Sequence, residues 1–230
     1  MPRFVHEPIL ARPAGQPARQ NTDPFVFGPS FLYSNCRQFT SQLRPTRLQR
    51  LAPGSLILFG SHLRGQFVLD TVLVVASRTP YTIGRPDQPS ARVSAAFQAA
   101  TIEPLASIGR LRGRTAQLYR GVTYQSRGPG GIFSYAPARL DGTRFSRPAL
   151  SGSRFVNPAM TMGFKTTAIS RDQVHDVWQK VTDQVRDQNL DLAIHLTEPA
   201  LLQQDPTDPD LKPAAATTGI CAPAPTGSPC

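Results

Sequence analysis

Residues 53–76, PGSLILFGSHLRGQFVLDTVLVVA, constrain the fold of this chain more than any other stretch. Pro53-Gly54 is a turn signal, and Ser55 to Gly60 is a short apolar run of β-forming residues. The polar stretch Ser61-His62-Leu63-Arg64-Gly65 then reads as a turn, and Gln66 to Ala76 as a second strand. Two such runs joined by a short glycine-containing turn predict a β-hairpin. Val72 to Val75 is apolar on both faces, so the second strand is expected at the centre of a sheet. Asp70 interrupts it, and a carboxylate buried in an apolar strand needs a partner. Arg64 and Arg37 are the partners the sequence suggests; a position facing a pocket is the alternative.

The rest of the chain is loop-rich, with 23 Pro and 17 Gly in 230 residues. A long N-terminal arm (residues 1–22) carries four prolines, and residues 199–230 are a Pro/Ala/Thr-rich tail that cannot bury a core and is expected to be disordered. One globular domain over 23–198 is the expectation between them. His6-Glu7 in the arm lacks a second histidine at helical spacing and reads as loop. Asp23 to Gln38 is the most aromatic stretch, with Phe25, Phe27, Phe31 and Tyr33 alternating about Gly28-Pro29. These rings are either core or, with Asn35 and Cys36 behind them, the wall of a base-stacking pocket.

Thr46 caps a short helical turn up to Leu51. Val93, Ala96, Phe97 and Ala100 have helical spacing in a helix from Ser90 that Pro104 ends. Ala116–Tyr124, Ile132–Arg139 and Met160–Ile169 read as strands. The clearest helix is Ser170–Gln188: Ser170 and Gln173 form a capping-box pattern, and Val174, Val177, Trp178, Val181 and Val185 make one apolar stripe. Asp172, Asp176, Asp183 and Asp187 lie off the stripe, facing solvent or a protein partner, and His175 falls on the polar side. Leu190–Leu196 is an expected edge strand. Arg127-Gly128-Pro129-Gly130-Gly131 lacks the Gly-Lys-Ser/Thr ending of a phosphate loop.

Charge is divided unevenly. Residues 1–154 hold 20 Arg and no Lys against 6 acids, a net of +14, whereas residues 155–230 have a net of −4. An anionic partner at the first two-thirds fits this split, although 22 Arg against 3 Lys also fits a compositional bias. Arg110, Arg112, Arg114 and Arg120, interleaved with Tyr119 and Tyr124, have the composition of a nucleic-acid-binding surface. Three cysteines, Cys36, Cys221 and Cys230, make neither a disulfide framework nor a four-ligand zinc site. No metal or cofactor is expected. No signal-peptide core or membrane-length apolar run is present, so a soluble cytoplasmic protein without a membrane partner is expected.

Pro53-Gly54-Ser55, Leu58-Phe59-Gly60-Ser61 and Phe67 to Val75 together resemble the PUA-like class of small β-barrels, which includes EVE and ASCH domains. Gly54-Ser55 stands where that class usually has Gly-Asp. NTDPFVFGPSFLYSNCRQ and LILFGSHLRGQFVLDTVLVVA are also similar to bacterial and phage nucleotide-modification-associated domains. The resemblance implies an α+β fold, a PUA-like mixed β-barrel with a few flanking helices, and a nucleic-acid or modified-nucleotide binding module associated with base modification. In that module Tyr33, Asn35, Phe59, Ser61 and Asp70 would line the pocket, and the arginines would hold phosphates. The competing function is a small enzyme acting on a nucleotide or base, with Cys36 as nucleophile, or with Asp70 as general base near His62.

Overall fold

The computed structural model describes residues 23–63, 65–85, 87–89, 93–127, 131–139, 147–151, 167–194 and 196. The expected hairpin is its spine. Strand β1 (Leu32–Tyr33) is followed by β2 (Leu56–Leu63) and the 17-residue β3 (Gln66–Thr82), which pairs antiparallel with β2 along its first half. Gly54 enters β2 with a φ of 84°, a conformation that favours glycine, and its N–H donates to the Val75 carbonyl. Strand β4 (Thr115–Gly121) pairs with the second half of β3 and carries β1 on its other edge. Strand β5 (Ala136–Ala138) pairs with β7 (Asp191–Ala193), while β6 (Ala149–Leu150) lies against the start of β3. Just before β5, Tyr135 exchanges backbone hydrogen bonds with Val72. β3 therefore has neighbours on both edges, which is why Val72–Val75 is wholly buried.

Two cores use the two faces of β3. Leu73 and Val75 pack with Phe25, Phe27, Phe31, Tyr33 and a helical segment. Val72 and Val74 pack instead with Phe133, Tyr135 and the helix α3 (Arg171–Asp187). Strict alternation would place Leu69 with Leu73, yet it joins Val72 and Val74. The cause is a β-bulge: Phe59 faces Thr71 and Gly60 faces Leu69, so Asp70 is an extra residue and the facing pattern inverts across it. Gly60 is needed opposite, because a Cβ there would run into the Val68 carbonyl oxygen and the Phe67 ring.

α3 follows its sequence closely. Ser170 is the N-cap, both arms of the capping box form, and Val177, Trp178, Val181 and Val185 are buried. His175 and the four aspartates are exposed. The Trp178 indole N–H donates to the Phe133 carbonyl (2.9 Å), and the Tyr135 and Thr182 hydroxyls bond each other (3.0 Å). Thr46 caps a 3-10 turn over Arg47–Arg50.

The helical segment departs from expectation at Pro104, which does not end it. The helix α1 (Ala95–Phe97) passes into a π-helical stretch, Gln98–Ile102, and continues as α2 (Glu103–Ser107). The Glu103 N–H donates back to the Gln98 carbonyl, and this wider turn accommodates the missing proline donor at the start of α2. Other strands are shorter than read from sequence: β4 stops at Gly121, and β5 and β7 have three residues each. Most of the strand expected over Met160–Ile169, the N-terminal arm and the C-terminal tail lie outside the described residues.

The architecture is α+β, with mostly antiparallel strands and few helices. The strand order β1-β4-β3-β2 does not close on itself, so no barrel is formed among the described residues. No helix among them is long and apolar enough to cross a membrane.

Candidate functional site

The structure divides the five expected pocket residues into two groups. Tyr33 belongs to the core: it is 1% exposed, stacks on Tyr119 at 5.5 Å and 14°, and meets the edge of Phe59 at 5.2 Å. Its hydroxyl donates to the Cys36 carbonyl. A ring covered in this way has no face for a base, so the aromatic run resolves as core. Phe59 is half-buried against the same cluster. The Tyr119 hydroxyl donates to the Leu48 carbonyl (2.6 Å), tying the 3-10 turn to β4.

The turn that follows Tyr33 is organised by an acid the sequence did not single out. The Asp23 carboxylate accepts from the Ser34 N–H (2.9 Å), the Asn35 N–H (2.9 Å) and the Cys36 N–H. Burial pushes Asp23 up to about 6, and the three amide donors act in the opposite direction. Asn35 is thus held through its backbone. Burial, with Asp23 adding to it, pushes the Cys36 thiol up to about 11, so Cys36 is a protonated, poorly nucleophilic thiol at neutral pH. Because Asp23 is raised when folded, its contribution to stability is fully present below about pH 4 and is lost as pH rises through about 6. An Asp23→Asn variant is expected to lose this dependence. Its deficit against the wild type in chemical denaturation should shrink by about 2 kcal/mol between pH 4 and 7. A deficit that stays constant with pH would contradict this.

The second group surrounds the bulge. Asp70 pairs with Arg147: Nε lies 2.5 Å from Oδ1, and Nη2 lies 3.3 Å from Oδ2. Nη2 also donates to the Ser61 hydroxyl. Among the described residues the partner is therefore Arg147, not Arg37; Arg64 lies outside them. Arg147 was concealed because it lies in an irregular stretch 77 residues along the chain with no periodicity to place it. Burial pushes Asp70 up to about 6 while the Arg147 guanidinium pulls it down. Ser61 and Asp70 already have a partner in each other's neighbourhood, so this group is a structural clamp fastening the β6 segment to the bulge. The Pro148 carbonyl, next along the chain, accepts from the Leu69 N–H. His62 lies in β2 opposite Phe67.

Three of the four expected phosphate-binding arginines converge. The Gln38 side chain bonds both backbone groups of Gln117, so the Gln38–Thr46 segment runs beside the edge of β4. Arg114 Nη1 donates to the Leu43 carbonyl (3.0 Å), and the Ile83 and Gly113 amides bond across to Arg114 and Ile83. Gly84 lies against the Arg112 side chain, with a Cβ position 3.1 Å from its Nε. These contacts bring Arg44, Arg85, Arg110, Arg112 and Arg114 to one end of the sheet, all exposed. None forms an ion pair among the described residues, Asp87 in the adjoining loop included. Arg120 is apart from them, half-buried in β4 opposite Leu32. Arg44 and Arg85 were missed because no local pattern joins them to residues 110–114; only the turn contacts do.

No family model, curated protein or solved structure matches this chain.

Proposed function

We propose that the protein is a nucleic-acid-binding module of the PUA-like class that holds the phosphate backbone at the arginine-rich end of its sheet. The observation that carries this reading is the convergence of five exposed arginines, from three separate segments, without acidic partners among the described residues. Like charges gathered at one end mildly disfavour folding and draw in a polyanion. Guanidinium groups also fit phosphate oxygens in a two-pronged geometry that lysine lacks. The exposed aspartates of α3 lie on a different element and give the molecule a charge asymmetry that would orient it on a negative polymer.

The PUA-like part of this proposal rests on the resemblance of Pro53-Gly54-Ser55, Leu58-Phe59-Gly60-Ser61 and Phe67 to Val75 alone. Association with base modification rests on that resemblance alone. The test is a titration of the purified full chain with fluorescently labelled single-stranded DNA, duplex DNA and RNA at low and physiological salt. Binding that weakens steeply with salt is expected. No binding to any of the three would overturn the proposal.

A further inference from the structure

Beyond the end of β4 opposite the arginine cluster, the chain forms the turn Thr123–Arg127. Tyr124 in this turn is 41% exposed, the one large apolar or aromatic side chain so exposed among the described residues. The turn is fixed by reciprocal bonds between Thr123 and Ser126. The Arg127 guanidinium lies 3.6 Å from the Tyr124 ring centroid and donates to the Tyr124 carbonyl. The Phe133 ring meets Tyr124 edge-on at 5.1 Å.

Beside these rings lies an open cleft of about 220 Å³, lined also by Arg186 at the end of α3 and by Asp191, Leu192 and Ile194 in and after β7. Arg186 and Asp191 are both exposed, carry opposite charges and line the same cleft, yet they form no ion pair with each other. Each is therefore available to a ligand that offers an anionic or acceptor group at one side and an amino group at the other. Pockets for drug-sized ligands run to roughly 300–1,000 Å³, so this cleft suits a single ring system rather than a whole nucleotide.

We infer that this cleft takes one unpaired, amino-bearing base of a single strand whose phosphates are held by the arginine cluster. The inference rests on the nucleic-acid reading above and adds the place where a base is contacted. The base stacks on the exposed Tyr124 ring, on the side not covered by the Arg127 guanidinium. Asp191 accepts from the exocyclic amino group, as carboxylates do from cytosine, and Arg186 meets the flanking phosphate. Thymine and uracil present a carbonyl at the corresponding position and would meet the Asp191 carboxylate unfavourably.

The test compares oligo-dC, oligo-dT and an abasic oligonucleotide of equal length on the wild type, Tyr124→Ser and Asp191→Asn. The wild type is expected to bind oligo-dC most tightly and the abasic strand most weakly. Tyr124→Ser should weaken oligo-dC binding by about 10-fold, to near the abasic value, without changing the salt dependence. Asp191→Asn should remove the preference for dC over dT. Tyr124 and Asp191 are exposed, so both variants should unfold at the wild-type temperature. Equal, salt-sensitive binding of all three strands by the wild type would overturn the base cleft and leave the arginine reading standing. No binding of any strand would overturn both.

Discussion

Replacing Arg147 by alanine is expected to lower stability at pH 7 by about 3–4 kcal/mol, roughly 10 °C in the midpoint of thermal unfolding. The loss is large because the guanidinium supports three things together. It neutralises Asp70 in a mostly buried bulge, satisfies Ser61, and holds the segment leading into β6 against β3. Without it a carboxylate remains in the sheet with no counter-charge. The effect has a pH signature. Arg147 pulls Asp70 down, so its removal raises the carboxyl above the value of about 6 that it has in the intact protein. A group raised in the folded state stabilises at low pH and loses that contribution as pH rises through its folded value. The Arg147→Ala deficit should therefore be smaller at about pH 5, where Asp70 becomes neutral, and full at pH 7. Adding Asp70→Asn should recover much of the loss at pH 7. Chemical denaturation of the wild type, Arg147→Ala and the double variant at both pH values checks this. A deficit unchanged by pH and unrelieved by the second substitution would show that Arg147 acts only by packing.

The combined variant Arg44→Gln, Arg110→Gln and Arg112→Gln is expected to bind single-stranded nucleic acid about 10²-fold more weakly at 0.1 M salt. Each phosphate contact contributes about 0.7 to the slope of log affinity against log salt on a single strand. Removing three contacts lowers the slope by about 2, and on a log scale that is the same loss at 0.1 M relative to 1 M salt. These three side chains form no hydrogen bond among the described residues, so thermal unfolding should stay within about 0.5 kcal/mol of the wild type. Arg114 is left in place because it ties its turn to Leu43. Equilibrium titration over a salt series measures both quantities. Unchanged affinity with intact folding would place the phosphate contacts elsewhere.

How far the fold could be read from sequence depended on the range of the interactions that settle each element. α3 was legible because its cap, its capping box and its apolar stripe all lie within one 20-residue window, and each agrees with the others. The centrality of β3 was legible from the continuous apolar run Val72–Val75. The bulge was not, since an inserted residue shows only once the partner strand fixes the register; Gly60 and Asp70 were visible as unusual residues but not as two sides of one feature. Pro104 misled because a proline normally ends a helix, and only the π-helical turn before it lets the segment continue.

The site was less legible for the same reason. Phe31 and Tyr33 look alike as core and as pocket, and it is the stacking of Tyr33 on Tyr119, 86 residues away, that places it in the core. Asp23 stood out only as the start of the aromatic stretch, because its three donors lie 11–13 residues further on. The arginines were visible as a charge imbalance, but their convergence depends on Gln38, Leu43 and Ile83 bringing three turns together.

The salt dependence of wild-type affinity for single-stranded DNA shows whether the arginine-rich end holds a phosphate backbone. With about five arginines engaged, log affinity should fall linearly with log salt with a slope near −3.5. A slope close to zero, or no measurable binding at low salt, would show that the arginine-rich end does not hold a phosphate backbone.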